Sequence, residues 1–178
     1  PTTQIKTQTL EAFQDPTHPY RQQLDATFNG QVAVFDISNF HQVRPADLGT
    51  KVCIVLTTVA ALRVEDQEGR KVYEDNEQLD DHFAGSVDSV GGLDTNDADK
   101  TLHSFANLCK LHQPLIIMDE AHNANTLLSY QVYERLAPKA VIEMTATPDA
   151  ASSNILVSVS AFELKHAKMI KFPVILEE

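Results

Sequence analysis

"LIIMDEAHNANT", residues 115–126, decides how the rest of the chain is read. Leu115, Ile116, Ile117 and Met118 run directly into two carboxylates, Asp119 and Glu120, and His122 follows. A short apolar run bounded by turn residues reads as a strand buried on both faces, the form expected in a parallel sheet. In open parallel sheets, ligands bind beyond the carboxyl ends of the strands. The strand would therefore hold both acids rigidly where the sheet stops. One such carboxylate can hold Mg²⁺, directly or through water, and its neighbour can orient or deprotonate an attacking water. The bland alternative is a loop whose acids cap a helix starting near Asn125. Adjacent acids point in different directions, which argues against a glycosidase pair acting across one bond.

Outward from this stretch, apolar strands alternate with helical patterns. The strands are expected at 31–37, 51–59, 114–119, 140–146, 154–161 ("NILVSVSA") and 172–176 ("FPVIL"). Helices are expected at 4–14, 20–28, 101–112 and 125–136. Parallel strands need such crossovers, so the pattern predicts an α/β fold: a mostly parallel sheet with helices on both faces. A second functional signal closes the strand "AVIEM", where Thr145 and Thr147 stand in "MTATP". Two hydroxyls at a neighbouring strand end could bond the same site; the alternative is an ordinary Thr/Pro turn.

Composition sets outer limits. The 178 residues suffice for one domain with a sizeable core, and 43% of them are hydrophobic. No run of eighteen apolar residues exists, so no membrane partner is expected. The first residues lack a signal-peptide core and an initiator Met, which suggests a piece of a longer chain. Cys53 and Cys109 have no CxxC spacing, which fits a reducing compartment, the cytoplasm. The net charge of -11 argues against strong nucleic-acid binding by phosphate neutralisation alone. About half of the acids, however, fall between Glu65 and Asp99. That stretch, roughly 65–100, reads as an acidic, loop-rich, solvated insertion.

"IIMDEAHN", followed one helix and one strand later by "MTATP", resembles motifs II and III of the DEAD/DEAH-box superfamily of nucleic-acid-dependent ATPases. "VLTTVAALRVEDQEGRKVYEDNEQLDDHF" and "VSAFELKHAKMIKFPVIL" are similar to the helicase (Res) subunit of type III restriction enzymes. The resemblance implies a RecA-like, P-loop NTPase domain in a bacterial helicase or translocase that uses Mg²⁺ and ATP. Asp119 would be the Walker B acid on Mg²⁺, Glu120 would activate the hydrolytic water, and His122 would lie near the γ-phosphate. Thr145 and Thr147 would couple nucleotide state to nucleic-acid binding. "PTT" (1–3) looks like the remnant of motif Ia, which makes Thr2 a nucleic-acid contact. "LTTV" (56–59) looks like a later motif whose threonine, Thr57 or Thr58, contacts a strand phosphate. Hydroxyls and backbone N–H groups contact phosphate without positive charge.

The departures carry equal weight. No G-x-x-x-x-G-K-[ST] occurs; the nearest string, "DLGTK" (47–51), lacks the first glycine and the final hydroxyl. The expectation is a first RecA-like domain over 1–161 without its P-loop strand, and a linker over 162–178 towards a missing second RecA-like domain. Such a piece would hydrolyse no ATP alone. Its implied partners are DNA, the second domain and a modification subunit. A degenerate module that binds a partner or nucleic acid without catalysis is the alternative, and a metal-dependent hydrolase using Asp119, Glu120 and His122 without ATP is a weaker one. A zinc site is disfavoured, because H-E-x-x-H is absent and His112 lies at the opposite end of the strand from His122. His18, His41, His82, His103 and His166 read as surface or helix-flank residues, and Tyr73, Phe83 and Phe105 as core.

Overall fold

The structure is a computed structural model that describes residues 3–62, 71–85, 87, 90–119, 127–148 and 154–169. Two compact units divide it, Pro1–Thr145 and Ala146–Glu178.

In the first unit, α1 (Thr3–Gln14) and α2 (Pro19–Thr27) lead into β1 (Val32–Asp36). Pro19 opens α2 behind His18, whose Nδ1 accepts the Tyr20 N–H at 3.2 Å. A proline at the first helical position loses nothing, because its missing N–H would have no intrahelical partner. Asn29 and Gly30 then turn the chain at positive φ, 51° and 72°. A 3₁₀ turn (Ile37–Gln42) and α3 (Pro45–Thr50) carry the chain back to β2 (Val52–Leu56), which pairs with β1 in parallel.

Beyond the 3₁₀ turns Ala60–Leu62 and Glu77–Leu79 and the single-turn α4 (Asp80–Phe83) comes α5 (Phe105–His112). The expected helix at 101–112 starts late because the Ser104 hydroxyl accepts the Asn107 N–H at 3.1 Å and caps it there. Gln113, at φ 46°, ends α5 one residue before Pro114. β3 (Leu115–Asp119), α6 (Leu127–Leu136) and β4 (Ala140–Met144) then form a second parallel pair with its crossover helix. The α/β class and the parallel pairing are as expected. Among the described residues the strands make up two two-stranded sheets, β1–β2 and β3–β4.

One core cluster joins Ile37, Phe40, Leu62, Phe105, Leu108, Val132 and Leu136 with Val72, Leu79 and Phe83. Phe83 is core as expected, whereas Val72 and Leu79 correct the reading of the acidic stretch as merely solvated. Leu79 is 0% exposed, Val72 2% and Phe83 7%, and the Tyr73 hydroxyl donates to the Leu62 carbonyl at 2.8 Å. The acids dominate the composition of the stretch, yet a few well-spaced apolar side chains suffice to bury it.

The second unit also departs from expectation. Residues 154–160 form no strand, and Leu156 and Val157 are 84% and 81% exposed. An extended apolar segment becomes a strand only when another strand meets its N–H and C=O groups. The next helix, α7 (Ala161–His166), starts at a capping box in which the Ser160 hydroxyl accepts the Glu163 N–H and the Glu163 carboxylate accepts the Ser160 N–H. "FPVIL" (172–176) lies outside the described residues.

Candidate functional site

The carboxyl ends of β3 and β4 meet as a shared rim. Parallel register places Asp119 opposite Met144, so Thr145 follows directly beside the end of β3. Asp119 is exposed and Thr145 half-buried. Strand parity explains why the acid stands outward. Ile116, Met118, Val141 and Glu143 are half-buried, whereas Leu115, Ile117, Ile142 and Met144 are 44–60% exposed. Tyr133, on α6, fixes this orientation by donating its hydroxyl to Met118 Sδ at 3.2 Å. Burial, with the carboxylate of Glu143 close by, pushes the Tyr133 phenol up to about 12, so it stays a neutral donor. Successive side chains alternate faces, which leaves Asp119 on the face opposite Met118.

A second rim closes β1 and β2. Asp36 pairs in register with Leu56, and Thr57 and Thr58 come next. The Thr57 hydroxyl donates to the Thr58 carbonyl at 3.2 Å, whereas the Thr58 hydroxyl accepts the Ala61 N–H, also at 3.2 Å. A hydroxyl that accepts one bond still carries a proton for another acceptor. Thr58 therefore keeps a donor that Thr57 has committed.

Asp36 and Lys6 were not singled out in the sequence. Asp36 is 8% exposed, and Lys6 reaches it from α1 at 2.6 Å. Burial raises its carboxyl, but hydrogen bonds from Lys6 and from the Ser38 N–H outweigh that and hold it below the usual carboxylate range. Its only signal in the sequence was one acid closing the apolar run "VAVF".

Of the other expected site residues, Glu120, His122 and Thr2 lie outside the described residues. Thr147 is exposed and belongs to the second unit. The structure thus brings Asp119 and Thr145 together, and it sets Thr57 and Thr58 on a different strand pair. Among the described residues no group of three or more His, Cys, Asp or Glu side chains gathers to hold a metal. Mg²⁺ needs no such cage; it keeps several waters and takes one or two carboxylates together with substrate phosphates. An exposed acid at a strand end, such as Asp119, fits that role. No helix among the described residues is long and apolar enough to cross a membrane.

The family model described as "Type III restriction enzyme, res subunit" matches residues 1–150. No curated protein matches the chain, and no solved structure does.

Proposed function

Because this chain belongs to the res-subunit family of type III restriction enzymes, a DEAD-like helicase family, we propose that it forms part of an ATP-driven motor acting on DNA. The observation that carries the reading is the rim where Asp119 and Thr145 close adjacent parallel strands in register. ATP bound with Mg²⁺ supplies the reactive phosphoanhydride and part of the charge neutralisation for its cleavage. Asp119 supplies a carboxylate for the metal. Glu120 orients the attacking water and takes its proton. His122 stands near the terminal phosphate. Thr145, with Thr147, senses the occupied site and passes its state to the bound strand.

Thr58 donates its hydroxyl proton to a strand phosphate. The bond pattern favours it over Thr57, whose proton already serves a carbonyl. Thr2 acts in the same way. Phosphate contacts of this kind position a strand without reading its bases, and they suit a chain with a net charge of -11.

These 178 residues contain no G-x-x-x-x-G-K-[ST], so a phosphate loop from outside them is required for hydrolysis. In the parent protein, that loop, a second RecA-like domain and a modification subunit complete the machine in the bacterial cytoplasm. A second reading is a module that binds a partner or nucleic acid without catalysis. One experiment separates the two. Glu120→Gln in the parent protein is expected to abolish ATP turnover while nucleotide binding persists. Normal turnover in that variant would remove Glu120 from the mechanism. Failure of the unaltered parent to hydrolyse ATP would establish the non-catalytic module.

A further inference from the structure

Glu143 breaks the apolar run of β4, "AVIEM", and it does so on the covered face. Val141 and Glu143 are half-buried, whereas Ala140, Ile142 and Met144 are exposed. A carboxylate loses solvation on such a face and an apolar side chain does not, so packing alone favours an apolar residue there. Register pairs Glu143 with Met118 of β3, which is half-buried on the same face.

The carboxylate meets the Tyr133 hydroxyl of α6. That hydroxyl bonds Met118 Sδ at 3.2 Å and the Glu143 carboxylate as well. A phenol has one proton, and the two acceptors share it. One side chain of the crossover helix is thereby tied to both strands of the pair. The Tyr130 ring stands edge-on to the Tyr133 ring, with centroids 6.4 Å apart, and restrains it in turn.

The tie lies directly behind the rim. Met118 immediately precedes Asp119, and Glu143 stands two residues before Thr145. Side chains alternate faces along a strand, so Tyr133 and Glu143 lie on the face opposite Asp119 and do not meet a metal held there. Mg²⁺ demands near-ideal octahedral geometry, so its carboxylate must be held in place. Groups that orient a metal's ligands from behind are worth about 10–100-fold in metal affinity or activity.

We propose that Tyr133 and Glu143 are positioning residues for Mg²⁺-dependent hydrolysis: acting through Met118 and the β3–β4 pairing, they hold Asp119 and Thr145 at the separation that a metal-bound nucleotide requires. Their role rests on the reading of Asp119 as the carboxylate of the metal.

ATP turnover by the parent protein over a range of Mg²⁺ concentrations, with melting temperature measured beside it, tests this. Tyr133→Phe keeps the ring and removes the hydroxyl. Glu143→Met keeps the length of the side chain and removes the acceptor. Both are expected to lower kcat about tenfold or more and to raise the Mg²⁺ concentration needed for half the maximal rate. Glu143→Met is expected to melt no lower than the parent, because a carboxylate leaves the covered face. Loss of activity without loss of stability separates positioning from mere packing. Glu143→Gln still accepts from Tyr133 and is expected to restore both turnover and the original Mg²⁺ requirement. Full turnover in Tyr133→Phe, an unchanged Mg²⁺ requirement in Tyr133→Phe or Glu143→Met, a lowered melting temperature in Glu143→Met, or Glu143→Gln as impaired as Glu143→Met overturns the assignment. Each of those results leaves the loss of turnover in Glu120→Gln intact, so the assignment can fail while the motor stands. A parent protein without ATPase activity overturns both.

Discussion

Asn107 on α5 is where the acidic stretch is tied to the fold, and removing its side chain should be costly. The residue is 0% exposed. Its Oδ1 accepts the Asp94 N–H at 2.8 Å, and its Nδ2 donates to the carbonyls of Asp94 and Leu102 at 2.8 and 2.7 Å. Asn107→Ala deletes all three bonds. The Asp94 carbonyl keeps a bond from the Leu102 N–H at 2.9 Å, so the Asp94 N–H and the Leu102 carbonyl lose their partner.

Orphaned groups of this kind cost about 1–3 kcal/mol each, and with the third bond at about 1 kcal/mol the loss is about 3–7 kcal/mol. Against a typical stability of about 5–15 kcal/mol, that is a large fraction. For a chain of this size it lowers the melting temperature by on the order of 10 °C. Asn107→Asp should also destabilise at neutral pH, because an anionic oxygen would replace a donor facing two carbonyls. Part of that loss should return in acid, when the carboxyl regains a proton to donate. Urea unfolding followed by circular dichroism, with hydrogen exchange at the Asp94 amide, measures both variants. Lys110→Ala is the control. Lys110 pairs with Asp94 at 2.7 Å and donates to the Gly92 carbonyl at 2.9 Å, but Asp94 is half exposed, so only about 1–2 kcal/mol is at stake. An Asn107→Ala loss no larger than that of the control would show that the stretch is not fastened here.

Two further outcomes are expected. Lys6→Ala should cost about 2–3 kcal/mol at neutral pH, below the range for a fully buried broken pair because both partners retain some exposure. Asp36 has a depressed carboxyl in the folded protein, so its contribution is present above the unfolded value of about 3.9 and is lost as pH falls through the folded value. The gap between the parent and Lys6→Ala should therefore narrow below about pH 4 in unfolding titrations; a gap constant with pH would rule out the ion pair as its cause. Thr58→Val in the parent protein should weaken single-strand binding by about three- to tenfold, the worth of one phosphate hydrogen bond, with Thr57→Val closer to neutral. Anisotropy measurements on a labelled strand would expose the reverse order and refute the assignment of the donor.

Local pattern carried much of this into the sequence. The apolar runs ending at Asp119 and at Met144 are strands in the structure within a residue or two of where they were expected. The helix expected at 20–28 also stands within a residue of its place, at Pro19–Thr27. These features depend on neighbours a few residues apart, which one sequence window contains.

Tertiary structure alone decided the rest. Nothing local shows that Asp119 lies opposite Met144, because strand register is set by pairing across a crossover helix. Lys6 and Asp36 meet across thirty positions, and Val72 and Leu79 enter a core begun by Ile37 and Phe40. The apolar run at 154–160 shows the reverse, since β propensity without a partner's hydrogen bonds makes no strand. Short-range order is written in residue spacing; contacts between distant segments depend on which surfaces meet when the chain closes.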